Sequence, residues 1–304
     1  SAVQFRYGPS RSVEEKWPGG QTDWAAEADP VKALTSKGSV RYSIDTPYLA
    51  ETIALAYDTV WPLVREDQEM VLRAQALGVP VTTPGEASGL MEEMLATLLQ
   101  CVLDRGAGSN LPRESVGALA LLRALDRPDA QGAVDWLYDE GPDRLRLFST
   151  NDFFPDGTPP ESTGGYNSIH TNGLFEVEHS LRQLRAGQPE AYPEERYPSL
   201  MSDPRTANAG RQPNEITMIG KSYFQFGDGH APGTGAELLD HPTKSTGSLR
   251  LVENCFHAPM AEKSLERAAE YTGDPIVEEI RSATRAGKHR TIGSTVHDGV
   301  GIAI

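Results

Sequence analysis

The chain has 304 residues, enough to bury a large core in one or two domains. Its 43 acidic residues outweigh 28 basic ones, for a formal charge of −15. That balance argues against a broad nucleic-acid face or a polybasic membrane patch, so an anionic ligand has to be met by local cations. No run of about eighteen apolar residues marks a membrane span, and Ser1-Ala2-Val3-Gln4-Phe5 lacks the charged-then-apolar pattern of an export signal. The sequence reads as a soluble chain from which any such signal has been removed. Two cysteines, Cys101 and Cys255, lie far apart and outside any CxxC pair. Cys101 falls in an apolar helical run and reads as a buried thiol.

Residues 1–40, rich in Gly, Pro and charge around Trp17-Pro18-Gly19-Gly20, read as an irregular arm. Beyond them the pattern is helical. Leu49, Ile53, Ala56, Val60 and Leu63 recur at helical spacing after Asp45-Thr46-Pro47, a cap followed by a first-turn proline. Further stripes follow at Met70, Ala74 and Leu77; at Leu90, Met94, Leu98 and Val102; at Val116, Leu119, Ala120 and Leu122; and at Leu174, Val177, Leu181 and Leu184. The breaks between them, such as Gly78-Val79-Pro80, Gly106-Ala107-Gly108 and Arg127-Pro128-Asp129, stop helices or form turns. Antiparallel helical hairpins are expected.

Between Asp203 and Thr246 the periodicity fails and Gly, Pro, Asn and Asp accumulate, which predicts a long structured loop region with short apolar runs such as Ile216 to Ile219. A last helix is expected from Asp274-Pro275 to Ala286. Thr291 to Val296 and Gly299 to Ile304 then read as strands around a His-Asp-Gly turn. Two strands alone rarely make a stable sheet, so a β-rich partner segment or chain is expected beyond Ile304.

The segment richest in chemistry runs from Phe153 to His170. Asp156-Gly157 and Gly164-Gly165 supply turns, Pro159-Pro160 stiffens the stretch, and Tyr166 stands where a helix begins, which suits a phenol held at a cleft edge. Composition alone favours the plainer reading, a structural loop in which Tyr166 and His170 pack. Glu92-Glu93 and Glu176-Val177-Glu178 read as solvated helix faces, and Trp61 and Trp136 lie on helices, where core packing competes with sugar stacking. No HExxH, phosphate loop or GxSxG elbow occurs, and no metal is expected.

The run Asp-Gly-x-x-x-Glu-Ser-x-x-x-Tyr that ends at Tyr166 resembles the loop carrying the catalytic tyrosine of heparinase II/III-like polysaccharide lyases. Upstream, Gly108-Ser109-Asn110-Leu111-Pro112-Arg113-Glu114-Ser115 precedes a small-residue helix, as does the family segment whose asparagine or histidine meets the substrate carboxylate; Asn110 is the matching position. Phe226-Gly227-Asp228-Gly229 looks like the family's Gly-Asp turn, and Asp298 to Ile304 resembles the opening strand of its β-sandwich. Where the family usually has Tyr-His, this chain has Tyr166-Asn167.

The resemblance implies a mainly α fold, an (α/α) toroid of antiparallel hairpins over 41–287, followed over 288–304 by the first strands of a β-sandwich that is absent or on another chain. It implies β-elimination on a uronate polysaccharide, secreted or periplasmic, without a cofactor. Its catalytic candidates are Asn110, which would stabilise the uronate carboxylate, and Tyr166, which would act as acid and base. Arg113, Glu114, Glu161, His170, Lys221 and His230 are the candidates for substrate contact. The family's further histidine base comes from the β-sandwich and is expected outside this chain, so that residues 1–304 alone should be inactive or nearly so. Two other readings stand beside it: a helical-toroid glycoside hydrolase using two of Asp156, Glu161 and Asp228, and a noncatalytic glycan-binding subunit.

Overall fold

A computed structural model describes residues 46–103, 110–125, 127–141, 143–160, 165–215, 217–218, 222–226, 246–251, 260, 262–286, 296–297 and 302–303. These residues are mainly helical. The chain divides into two compact units, 1–143 and 144–304, a boundary that falls inside the segment expected to be one helical domain. The N-terminal arm, 1–40, lies outside the described residues. No described helix is long and apolar enough to cross a membrane.

In the first unit, α1 (Thr46–Glu66), α3 (Pro84–Leu103) and α4 (Arg113–Leu125) pack on one another, with α2 (Gln68–Ala76) on α3 and α5 (Ala130–Asp139) on α4. Local sequence sets the ends. Asp67 caps α2 by accepting from the Glu69 N–H at 2.8 Å. At its C-terminus Gly78 takes φ +79, while the N–H groups of Gly78 and Val79 donate to the carbonyls of Gln75 and Ala74. That Schellman arrangement is what the Gly-Val-Pro break predicts. Thr83 and Glu86 close a capping box on α3, the Glu86 N–H donating to Thr83 Oγ1 at 3.1 Å and the Thr83 N–H to Glu86 Oε2 at 3.3 Å.

The α4 helix is buried on nearly every side from Arg113 to Leu122, as befits a helix with few polar positions at its middle. Gly117 is required there: a Cβ would stand 2.6 Å from the carbonyl oxygen of Pro47 at the start of α1. The α1 helix forms where its apolar spacing predicts, yet its core face differs from the predicted stripe. Ala50, Ala54, Tyr57 and Val64 are buried, whereas Leu49, Val60 and Leu63 are exposed. Small Ala side chains let backbones approach closely, so the narrow face packs and the wider one stays out. Cys101 is buried in α3, as expected.

The second unit begins with a 3₁₀ turn (Leu145–Leu147) and α6 (Phe148–Asn151), followed by a loop and the long α7 (Gly165–Gly187). After α7 come a second 3₁₀ turn (Leu200–Ser202), α8 (Pro204–Asn208) and α9 (Gln212–Glu215). The predicted loop region from Asp203 therefore starts with two short helices, the first capped by Asp203, which accepts from the Arg205 N–H at 2.9 Å. Strands β1 (Thr217–Met218), β2 (Ser222–Phe226) and β3 (Thr246–Leu251) form an antiparallel sheet in that order, with Tyr223 opposite both Thr217 and Arg250.

Next come α10 (Glu262–Thr272) and α11 (Pro275–Arg285), an antiparallel pair turned at Gly273, where φ is +63. Asp274 caps α11 with Pro275 in its first turn, as Asp274-Pro275 predicts. Asp274 also accepts from Arg211 Nε. The α10 helix shows no long apolar stripe, and its buried positions are Ser264, Leu265 and Ala268. Finally β4 (Val296–His297) pairs antiparallel with β5 (Ile302–Ala303), and the rest of the two predicted strands lies outside the described residues.

Candidate functional site

The loop from Asp152 to Pro160 is held by its own backbone. The Phe154 N–H donates to Thr158 O and the Gly157 N–H to Phe154 O, both at 2.9 Å, and Asp156 Oδ1 accepts from the Thr158 N–H at 2.9 Å. This is the turn that Asp156-Gly157 predicts. Gly157 takes φ +85, and a Cβ on it would fall 2.5 Å from Asn208 C and 2.6 Å from Ala209 N. Asn208 Nδ2 in turn donates to Pro155 O at 3.3 Å, and Phe153 meets Phe148 edge-on at 5.6 Å between centroids. The loop is thereby clamped between α6 and the end of α8.

Tyr166 is the second residue of α7. Its helical placement agrees with the expectation that a helix begins there; its side chain lies outside the described residues. Immediately after it Asn167, Ser168, His170 and Thr171 are all buried, an unusual polar run for the wall of a core. Thr158 in the loop is buried as well, and the hydroxyls of Thr158 and Thr171 are enclosed with no hydrogen-bond partner among the described residues. Buried polar atoms without partners are costly, and proteins tolerate them where a water or ligand completes them.

His170 is one helical turn beyond Tyr166, so the two positions share one face of α7. His170 as a residue is 8 % exposed, and its Nδ1 stands 3.8 Å from Oδ1 of Asp152, itself 7 % exposed. Burial pushes the Asp152 carboxyl up to about 6 and the His170 imidazole down to about 4. At neutral pH the pair is therefore a carboxylate facing a neutral imidazole. Sequence reading singled out His170 but not Asp152, which is eighteen residues away along the chain and carries no local signature.

Farther along α7, Glu178 corrects an expectation. It is not on a solvated face: its side chain is fully buried. Its Oε1 accepts from Arg182 Nε at 2.6 Å, Arg185 Nη2 at 3.0 Å and Ser199 Oγ at 2.8 Å, and its Oε2 accepts from the Leu200 N–H at 2.9 Å. Glu176 is likewise engaged, by Lys263 and Arg267 of α10. Glu92 accepts from the Tyr57 hydroxyl at 3.1 Å. His179 meets the Tyr271 hydroxyl through Nδ1 at 2.6 Å, and the two rings are stacked.

In the first unit, Asn110 is half-buried just ahead of α4, and its carbonyl accepts from the Arg113 N–H at 2.9 Å. The Leu111-Pro112 peptide between them is cis. Arg113 and Glu114 are buried, and the Arg113 guanidinium lies 4.3 Å from the centroid of the Tyr48 ring, a cation–π contact. The Ser115 N–H and hydroxyl both donate to Asp143 Oδ2. Asn110 thus belongs to a braced helix entry. Trp61 packs edge-on with Tyr57 at 5.3 Å and carries Arg65 over its face.

Glu161, Lys221, Asp228 and His230 lie outside the described residues. Among the described residues no cluster of three or more His, Cys, Asp or Glu side chains is arranged to hold a metal. The chain matches no protein-family model, no curated protein and no solved structure.

Proposed function

We propose that the protein is a polysaccharide lyase that cleaves a uronate-containing polymer by β-elimination, built on an (α/α) toroid with a β-sandwich beyond it. The observation that carries the reading is the entry to α7: a clamped loop delivers Tyr166 to a helix start, one turn from a buried His170–Asp152 pair and beside a run of buried polar side chains. Such a wall favours a group that handles protons away from bulk water.

In this reading the C5 proton of the uronate leaves to a base, the electron pair forms the C4–C5 double bond, and the C4–O bond breaks with a proton delivered to the departing oxygen. Tyr166 supplies that proton and, when ionised, serves as the base. The carboxylate must be hydrogen-bonded for charge to develop on the ring; in the second unit His170, with Glu161, Lys221 and His230, supplies the candidate contacts, while Asn110, Arg113 and Glu114 belong to the first unit. No cofactor is required by this chemistry. A secreted or periplasmic location, where such polymers occur, fits the same reading.

A second reading, a glycoside hydrolase, is favoured by one observation, the raised Asp152 carboxyl, which is what a general acid needs. Mass analysis of products from the full-length protein separates the two. Elimination gives fragments that together equal the mass of the starting chain; hydrolysis adds one water per cut. Fragments carrying added water would overturn the lyase reading in favour of the hydrolase.

A further inference from the structure

We infer that Asp152 is a positioning residue: its carboxylate fixes the His170 imidazole as the Nδ1–H tautomer and leaves Nε2 as the acceptor presented to a sugar hydroxyl of the bound polymer. This rests on the proposed function for its ligand but on geometry for its pairing. Among the described residues Nδ1 of His170 is fully enclosed and makes no hydrogen bond, and the carboxylate within ion-pair distance of it is that of Asp152, with Oδ1 at 3.8 Å. Closing that gap to a hydrogen bond takes a shift of under about 1 Å. An enclosed ring nitrogen facing a carboxylate carries the proton, and the tautomer so fixed leaves the opposite nitrogen bare. The His170 side chain keeps about a tenth of its surface exposed, and that part excludes Nδ1.

Burial displaces the ionisation of both groups, and neighbouring charges among the described residues are engaged elsewhere. On α7 itself, Glu176 is held by Lys263 and Arg267, and Glu178 by Arg182 and Arg185. On α8, which packs against α6, Arg205 is paired with Asp203. A carboxylate beside an imidazole, neither with another side-chain partner among the described residues, both inside the wall that carries Tyr166, is a device for orientation more than for stability, since packing alone would favour apolar side chains there.

The test is the nitrogen spectrum of histidine-labelled full-length protein above neutral pH, with the His170 signals assigned by their loss in His170→Gln. The wild type is expected to show a protonated Nδ1 and a bare Nε2. Asp152→Asn, which preserves shape but offers an amide, is expected to shift the population toward Nε2–H, as such replacements do in aspartate–histidine pairs. Its kcat/KM on the cleaved polymer is expected to fall at least tenfold. A wild-type ring in the Nε2–H form, or as an even mixture, overturns the inference without reference to any variant. So does an unchanged tautomer in Asp152→Asn, and a shifted tautomer with undiminished turnover removes the substrate-facing role of Nε2. Because the spectrum needs no substrate, a protein that proves not to be a lyase leaves the pairing result standing and fails separately.

Discussion

A Cβ added to Gly157 would lie 2.5 Å from the carbonyl carbon of Asn208, so the loop that leads to Tyr166 touches the end of α8 at a point where only glycine fits. The positive φ of Gly157 adds a second reason for glycine. Together they make this turn the fixed point from which the chain runs to α7.

Gly157→Ala is therefore expected to destabilise the second unit by about 2 kcal/mol or more, through both the strained φ and the backbone clash. Denaturant unfolding of the variant against wild type measures it. A change below about 0.5 kcal/mol would show that the loop moves freely away from Asn208.

Glu178 makes a stronger prediction. Its buried carboxylate gathers Arg182, Arg185, Ser199 and the Leu200 N–H. Glu178→Ala leaves Arg185, itself largely buried, and a backbone donor without their acceptor, and is expected to cost about 3 kcal/mol or more. Replacing an exposed acid such as Glu195 in the same experiment should change stability by under about 0.5 kcal/mol. Equal effects from the two would refute the buried hub.

The Asp152–His170 pair predicts opposite pH dependences that hide one another. Asp152 has a folded-state value of about 6, above its unfolded one, so the native state holds an extra proton between roughly 4 and 6 and this group lowers stability as pH rises through that window. His170, at about 4, lies below its unfolded value, so the unfolded state holds the extra proton and stability rises from roughly pH 4 to 6.5. In wild type the two slopes largely cancel. Relative to wild type, Asp152→Asn should gain stability steadily as pH rises from 4 to 6, and His170→Gln should lose it. Unfolding curves of the three proteins across that range check the signs; parallel curves would mean that neither group is buried as described.

The helices were legible because apolar spacing and end signals agree. Gly78 after α2 and Asp274-Pro275 before α11 each specify a boundary through a backbone angle or backbone donors, and such signals are local. Which face of a helix packs is less legible. On α1 the large residues Leu49 and Leu63 stay exposed while Ala50 and Ala54 are buried, because close backbone approach selects small side chains and spacing does not reveal it. The α10 helix escaped notice for the same reason, its buried face being Ser264, Leu265 and Ala268.

At the candidate site the turn at Asp156-Gly157 and the helix start at Tyr166 follow from the sequence. The partners of buried charges do not. Glu178 finds Ser199 and Leu200 more than twenty residues on, and Asp152 faces His170 across a loop. A charge pair on a helix reads as solvated until tertiary structure supplies its counter-ions.

The most direct measurement is the ultraviolet absorbance of products when the full-length protein is incubated with a panel of uronate polysaccharides, for wild type and Tyr166→Phe side by side. The account predicts short-ultraviolet absorbance from at least one polymer with wild type. It predicts a loss of roughly 100-fold or more in kcat for Tyr166→Phe, the scale of a lost acid–base group, with the fold and sugar binding retained. Absorbance formed equally fast by Tyr166→Phe, or none from any polymer with wild type, would contradict it.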